Sequence, residues 1–316
     1  MKIDYATLPP IPCPVCGSTS FRGITRRFDA GPIVQCEQCP HIYLNPTLPD
    51  TLLDTIYATY HEAPDEAGLL RTIDGWFSDP RGPYQYALNF VEQTVGFRGK
   101  RVLEIGCGPG RFLVECRQRG AVVTGIDRSP NAARLARHHF SLNLLAITLE
   151  QVTEETLLSA PGFDLVFAFE VIEHVREPGA FLRTVHQLLA PDGLLLLSTP
   201  NFHLFALMGE AAPVVQQWPE HLHFFDPPSL VHCLEQCDFA IKDLTTVLPF
   251  TYGDRQKQLL AQRPVIREVW NFVRRTRFAV LVKDYIFQLL DRRQEAADLK
   301  VWNGACVVSV AQKRVG

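Results

Sequence analysis

The chain has 316 residues, 47% of them hydrophobic, and a formal net charge of −3. That length supports one large or two modest cores, and the acidic balance gives no general reason to expect nucleic acid as a partner. No run of roughly eighteen apolar residues occurs, which excludes a membrane-crossing helix on length. Residues 1–10 lack a secretory apolar stretch, and nine cysteines without an export signal point to a reducing, cytoplasmic setting.

Residues 11–47 hold two C-x-x-C pairs, Cys13/Cys16 and Cys36/Cys39. Two such pairs about twenty residues apart match a zinc-ribbon layout, with residues 21–28 and 33–35 as the arms of a small hairpin. Four thiolates close a tetrahedral site, which suits a structural Zn²⁺ better than a catalytic one. So short a module cannot bury a core by itself, so zinc would supply its folding free energy. Two redox C-x-x-C motifs, or a ribbon that has lost its metal, are the other readings. His41 follows in the exit segment and reads as a surface residue or a substitute ligand.

Residues 50–62 have helical apolar spacing after an Asp cap. Residues 63–83 contain several Gly, Pro and Asp and read as a loop able to fold over a ligand. Residues 84–95 return to helix and begin with Tyr84, which reads first as a packing aromatic.

The next stretch organises the chain. Residues 102–105 form a strand pattern, then Glu104, Gly106, Gly108 and Gly110 stand in E-x-G-x-G-x-G, then a helix starts at Arg111. A strand that ends in glycines and opens a helix is the βα turn of a nucleotide-binding α/β unit. Glycines let the backbone turn sharply and a ligand lie against it, and the helix N-terminus offers free N–H groups. Residues 122–127 read as the next strand, ending in Asp127, where an acid that accepts ribose hydroxyls belongs, with Arg128 beside it. Ser129-Pro130 caps a helix over 131–140. Residues 145–147 are a short third strand, 163–169 a fourth and 193–201 a fifth.

Glu170 ends the fourth strand, at the edge where open α/β sheets bind ligands. Glu173 and His174 share its face if a helix starts there. Histidine has a pKa suited to a general base. The bland reading is that Glu173 and His174 only tie the chain together at the strand exit. Residues 181–190 and 228–236 are amphipathic helices and 240–247 a sixth strand. Before the last helix, His221 and His223 sit in E-H-L-H-F-F; either is a candidate base, or a cap for the helix at Pro228.

Taken together, E-I-G-C-G-P-G, G-I-D, F-D-L-V and E-V-I-E-H-V make the chain similar to the class I S-adenosylmethionine-dependent methyltransferases. E-V-I-E-H-V most resembles the O-methyltransferases of ubiquinone biosynthesis and their relatives acting on sugars and natural products. The resemblance covers roughly residues 80–247 and the last strand, and the C-x-x-C-x-H-x-Y-x-N-P stretch resembles zinc-ribbon-headed relatives. It implies a Rossmann-like, seven-stranded α/β sheet with helices on both faces, its last strand antiparallel. The implied organisation is a ribbon over 1–47, a core over 48–247 completed by 301–316, and a helical insertion over 248–300. The cofactor-binding set is then Glu104, Gly106, Gly108, Gly110, Asp127, Arg128, Glu170, Gln151 at the adenine and Tyr84 at the methionine end. The resemblance also implies a divalent metal, Mg²⁺, at Glu170, Glu173 and His174. His174, His223 and Glu173 are the candidate catalytic residues.

The expected activity is methyl transfer to a hydroxyl of a sugar, lipid-linked or natural-product acceptor. An RNA base methyltransferase, an NAD-dependent oxidoreductase and a cofactor-binding scaffold without catalysis are the competing readings. Residues 265–293, basic and apolar at helical spacing, are a substrate lid, a homodimer arm or a contact with anionic membrane.

Overall fold

Four parallel strands form where the sequence runs almost continuously apolar: β4 (Arg101–Ile105), β5 (Val122–Ile126), β6 (Phe163–Phe169) and β7 (Leu189–Pro200). They are seen in a computed structural model that describes residues 3–27, 29–58, 65–153, 156–157, 162–203, 220–247 and 306–314. The expectations for 248–300, and hence for 265–293, lie outside the described residues. Strands covered on both faces need apolar side chains at every position, and Leu195, Leu196 and Leu197 of β7 are fully buried. Strand β8 (Phe239–Val247) and strand β9 (Cys306–Lys313) complete a sheet of order β5-β4-β6-β7-β9-β8. Strand β9 runs antiparallel to both of its neighbours.

This sheet thus has six strands among the described residues, not seven. The expected third strand is reduced to one parallel bridge between Leu145 and Ile126. Its two bonds, Leu145 N–H to the Gly125 carbonyl and Asp127 N–H to the Leu145 carbonyl, are all that so short an edge segment makes.

Helices close both faces. On one, α3 (Pro83–Thr94), α4 (Arg111–Gln118) and α5 (Pro130–Phe140) contribute Leu88, Val91, Phe112, Leu113 and Ala136 to a core with Phe167. On the other, α6 (Pro178–Leu188) and α7 (Pro227–Glu235) bring Phe181, Leu182, Leu230 and Leu234 against Leu195 and Leu197. Each such burial contributes about 1.5–3 kcal/mol. The caps are local: Ser129 Oγ accepts from Ala132 N–H, and Asp226 and Ser229 satisfy each other's backbone at the head of α7. Asp226, and neither His221 nor His223, is therefore the cap of this helix.

The N-terminal segment forms a separate antiparallel sheet of β1 (Phe21–Arg26), β2 (Pro32–Cys36) and β3 (Ile42–Leu44). Two helices follow, α1 (Asp50–Ala58) and α2 (Glu66–Ser78). Helix α2 replaces most of the expected loop over 63–83. Asp65 caps it by accepting from Gly68 N–H at 2.9 Å, and this local bond outweighs two internal glycines of low helix propensity. The three-stranded sheet does own a core, because it borrows one: Ile33, Ile42 and Leu44 pack with Phe202, Leu222 and Phe224 of the large domain.

Candidate active site

The C-terminal ends of β4, β5 and β6 open on one hollow of about 860 Å³, at the point where the strand order reverses around β4. Glu104, Gly106, Gly108, Asp127, Arg128, Glu170, Glu173, His174 and Tyr84 all line it. Strand β4 delivers the glycine loop, whose Gly106, Gly108 and Gly110 all have positive φ. At Gly106 a Cβ would stand 2.6 Å from Val171 Cγ2, so both the conformation and the space require glycine. The loop is held from the next strand: Asp127 Oδ2 accepts from Gly108 N–H at 2.8 Å, and Oδ1 from Ser129 N–H at 2.8 Å.

Glu104 is 3% exposed, and its Oε2 has no hydrogen-bond partner among the described residues. Burial, and then the charge of Asp127, push its carboxyl well above the ordinary carboxylate range. A buried acceptor without a donor costs about 1–3 kcal/mol, which a hydroxyl-bearing ligand in the hollow would recover. The orphaned oxygen, the glycine cradle and the acid closing β5 together fit the ribose end of an adenosyl cofactor.

The opposite side of the hollow carries two acids and two imidazoles. Glu170 has φ +55°, a left-handed backbone that a non-glycine residue adopts only under constraint. Its carboxyl is pushed up to about 7 by burial, although Ser198 Oγ donates to Oε1 at 2.7 Å. Glu173 is 1% exposed; Thr199 Oγ1 donates to its Oε2 at 3.0 Å, while Oε1 has no hydrogen-bond donor among the described residues. Burial, then the charge of Glu170, hold this acid well above its usual range.

His174 Nδ1 lies 3.3 Å from the Glu220 carbonyl, so it is the protonated nitrogen. Nε2 then carries the lone pair, 3.7 Å from Glu173 Oε1. Burial lowers this imidazole to about 4. The ring of His221 stands edge-on to it with centroids 4.8 Å apart. Burial first, then His174 and Arg27, hold the His221 imidazole well below the usual histidine range.

Three placements differ from expectation. His223 does not line the hollow. Its Nε2 donates to the Val175 carbonyl at 2.8 Å and its Nδ1 lies 3.0 Å from His41 Nε2, so both nitrogens are spent on structure. His41 itself is fully buried, not at the surface. Gln151 is exposed, and its Oε1 accepts from Thr148 N–H at 2.8 Å within a capping box, leaving Thr148, Leu149 and Glu150 to line the cavity. Arg128 lines the cavity but also pairs with Asp54 at 2.9 Å and covers the Tyr57 ring.

The proposed magnesium set does not assemble either. The ligand atoms that converge, all within 4.8 Å of one another, belong to Glu173, His174 and His221, not Glu170. One carboxylate with two imidazoles is a donor set for a borderline transition metal, whereas Mg²⁺ asks for oxygen ligands. The segment 63–83, expected as a loop able to fold over a ligand, does border the hollow through Ile73, Trp76 and Phe77, but as helix α2; the Asp65 cap followed by apolar residues at helical spacing was the signal for that helix.

An open α/β sheet with this strand order, a glycine loop and a ribose-type acid over one cavity defines an adenosyl-cofactor enzyme. Residues 81–244 match a family model described as a methyltransferase domain. The chain is 35% identical over 180 residues to the ubiquinone biosynthesis O-methyltransferase of Pseudomonas aeruginosa (strain LESB58), covering 54% of this chain and 76% of that one. It is 34% identical over 188 residues to the same-named enzyme of Glaesserella parasuis serovar 5 (strain SH0165), covering 52% and 79%. The cyclase SpnF shares the fold, with a TM-score of 0.52 at 19% identity over 85% of this chain and 98% of that one. This chain belongs to the class I S-adenosylmethionine-dependent methyltransferases.

Proposed function

We propose that the chain transfers the methyl group of S-adenosylmethionine to a hydroxyl of a small-molecule acceptor in the cytoplasm. Sugar, lipid-linked and natural-product hydroxyls are the acceptor classes in view. The single observation that carries this reading is the shared hollow: Glu104, the glycine loop and Asp127 on one side, Glu173, His174 and His221 on the other. Its volume, about 860 Å³, lies in the upper range of ligand cavities and has room for two small molecules together. Relatives named for O-methyl transfer support a hydroxyl as the attacking group.

S-adenosylmethionine supplies a methyl already activated on a sulfonium, so the protein's task is positioning and the removal of one proton. Glu104 and Asp127 would take the ribose hydroxyls, the loop glycines would let the cofactor lie against the backbone, and Tyr84 and Glu170 would face its methionine end. His174 would take the acceptor's proton at Nε2, since Nδ1 is committed to the Glu220 carbonyl. Glu173, whose Oε1 lies 3.7 Å away, would accept a hydrogen bond from the imidazolium that forms. No step is assigned to Mg²⁺.

The cysteine cluster we read as a structural zinc site. Cys13 and Cys39 Sγ lie 3.6 Å apart, Cys16 and Cys36 Sγ 3.5 Å, and all four within 4.8 Å of one another. A tetrahedron with Zn–S bonds of about 2.3 Å has edges of about 3.8 Å, so the thiols suit the ion.

The test is an acceptor screen by mass spectrometry with isotopically labelled S-adenosylmethionine. Phenols, sugar nucleotides and prenylated phenols form one arm, amines and total RNA the others. Label on a hydroxyl acceptor is expected. Label confined to amines or RNA would refute the reading.

A further inference from the structure

The inner face of the ribbon carries a buried charge that methyl transfer does not use. Arg27 is 3% exposed. Its Nε and Nη2 donate to the Asp29 carboxylate at 2.9 and 2.6 Å, and Nη2 also donates to Tyr5 Oη at 2.7 Å. Tyr5 Oη in turn donates to Asp29 Oδ2 at 2.7 Å. The remaining arm, Nη1, reaches across to the His221 carbonyl at 3.0 Å. Removing a guanidinium and a carboxylate from water is costly and is offset only when every donor finds a partner. Here one of those partners is a backbone oxygen of the active-site loop.

That loop is gripped from two sides. On the ribbon side, Leu44 N–H donates to the Leu222 carbonyl at 2.8 Å, Phe224 N–H donates to the Ile42 carbonyl at 2.9 Å, and Tyr43 bridges His223. Deeper in, His223 must donate from Nε2 to the Val175 carbonyl, so its Nδ1 accepts and His41 Nε2 is the donor. On the active-site side, Leu222 and His223 N–H both donate to the Glu173 carbonyl, at 2.8 and 3.1 Å. The same loop touches His174 twice, through the Glu220 carbonyl and the ring of His221.

We propose that the ribbon is a positioning element of the reacting edge: Arg27, with β3, fixes the backbone at His221 and thereby the placement of the His221 and His174 imidazoles. This rests on the reading of His174 and its neighbours as the proton-handling side of the cavity. Arg27 is a positioning residue; it does not line the hollow.

The test uses the full chain with S-adenosylhomocysteine bound and histidine labelled at the ring nitrogens. Ring resonances are compared for wild type, Arg27→Gln and Tyr5→Phe, with calorimetric affinity for S-adenosylhomocysteine measured alongside. Arg27→Gln is expected to move the His221 and His174 resonances and leave those of His138 and His139 on α5 in place. Affinity should stay within about twofold, because Arg27 and the ribose acids share no partner. A purely structural role would lower the melting temperature without moving those two resonances in the folded protein. Unmoved His221 and His174 signals would therefore overturn the proposal. Should Arg27→Gln fail to fold, Tyr5→Phe decides: a smaller displacement of the same two signals supports the linkage, and none overturns it. If the signals move while methyl transfer by Arg27→Gln onto the screened acceptor is unchanged, the linkage stands and the assignment of the reacting edge falls.

Discussion

Asp127 holds the glycine loop in place: its Oδ2 accepts the Gly108 N–H at 2.8 Å, across from the end of β5 to the turn after β4. The carboxylate is thus oriented before any ligand arrives, and the loop is drawn toward the same cavity that Glu104 faces. Preorganisation of this kind lowers the ordering cost of binding.

Asp127→Ala should accordingly weaken S-adenosylhomocysteine binding by about 1–3 kcal/mol, the range of an unmade buried hydrogen bond. Isothermal calorimetry measures it. Unchanged affinity would remove Asp127 from the ribose role.

His174→Ala should lower methyl transfer by about 10²–10⁴-fold, the usual share of a general base, with little change in S-adenosylhomocysteine affinity. Single-turnover kinetics on the acceptor found by screening would check this. A loss confined to acceptor KM would show that His174 binds the acceptor and takes no proton.

Glu170 sets a pH dependence. Its carboxyl ionises at about 7 in the folded protein because burial penalises the charge, well above the about 4.3 of an exposed glutamate. With the folded value raised, the free protein's stability contribution from this group is full at low pH and is lost as pH rises from about 4.3 toward 7. Binding runs the other way, since the ammonium of an S-adenosyl ligand favours the ionised carboxylate. Affinity for S-adenosylhomocysteine should rise with pH through 7 in wild type and be flatter in Glu170→Gln. Parallel slopes for the two proteins would contradict this assignment.

Purified protein should carry about one zinc per chain at Cys13, Cys16, Cys36 and Cys39, measurable by plasma mass spectrometry. Cys36→Ser should reduce the zinc content and lower the melting temperature. Full zinc content in Cys36→Ser would place the ion elsewhere.

The loop around Gly106 and the acid at Asp127 were legible in one dimension because their signals are local. Positive φ, a strand that stops at glycine and a cap such as Ser129 are properties of a few adjacent residues. Helix α2 was obscured by Gly68 and Gly75, whose low propensity is overcome by the Asp65 cap and by burial of Phe77. Gln151 and Glu150 are adjacent, exposed polar residues in one short turn, and only the tertiary structure shows that Glu150 lines the cavity while Gln151 caps the turn.

The histidines separate the two levels most clearly. His221 and His223 have nearly the same local sequence around them, yet one borders the cavity and the other is sealed between His41 and Val175. The choice comes from a ribbon strand that pairs with the loop and from Arg27, 194 residues away from the carbonyl it holds. By itself the sequence determined strands β4 to β7 and the helices between them, the cysteine quartet and the cofactor loop, because each is written in short-range spacing and backbone preference. Only the tertiary structure decided which imidazoles meet Glu173 and what braces them, because those contacts join segments that chain entropy keeps apart until the core has formed.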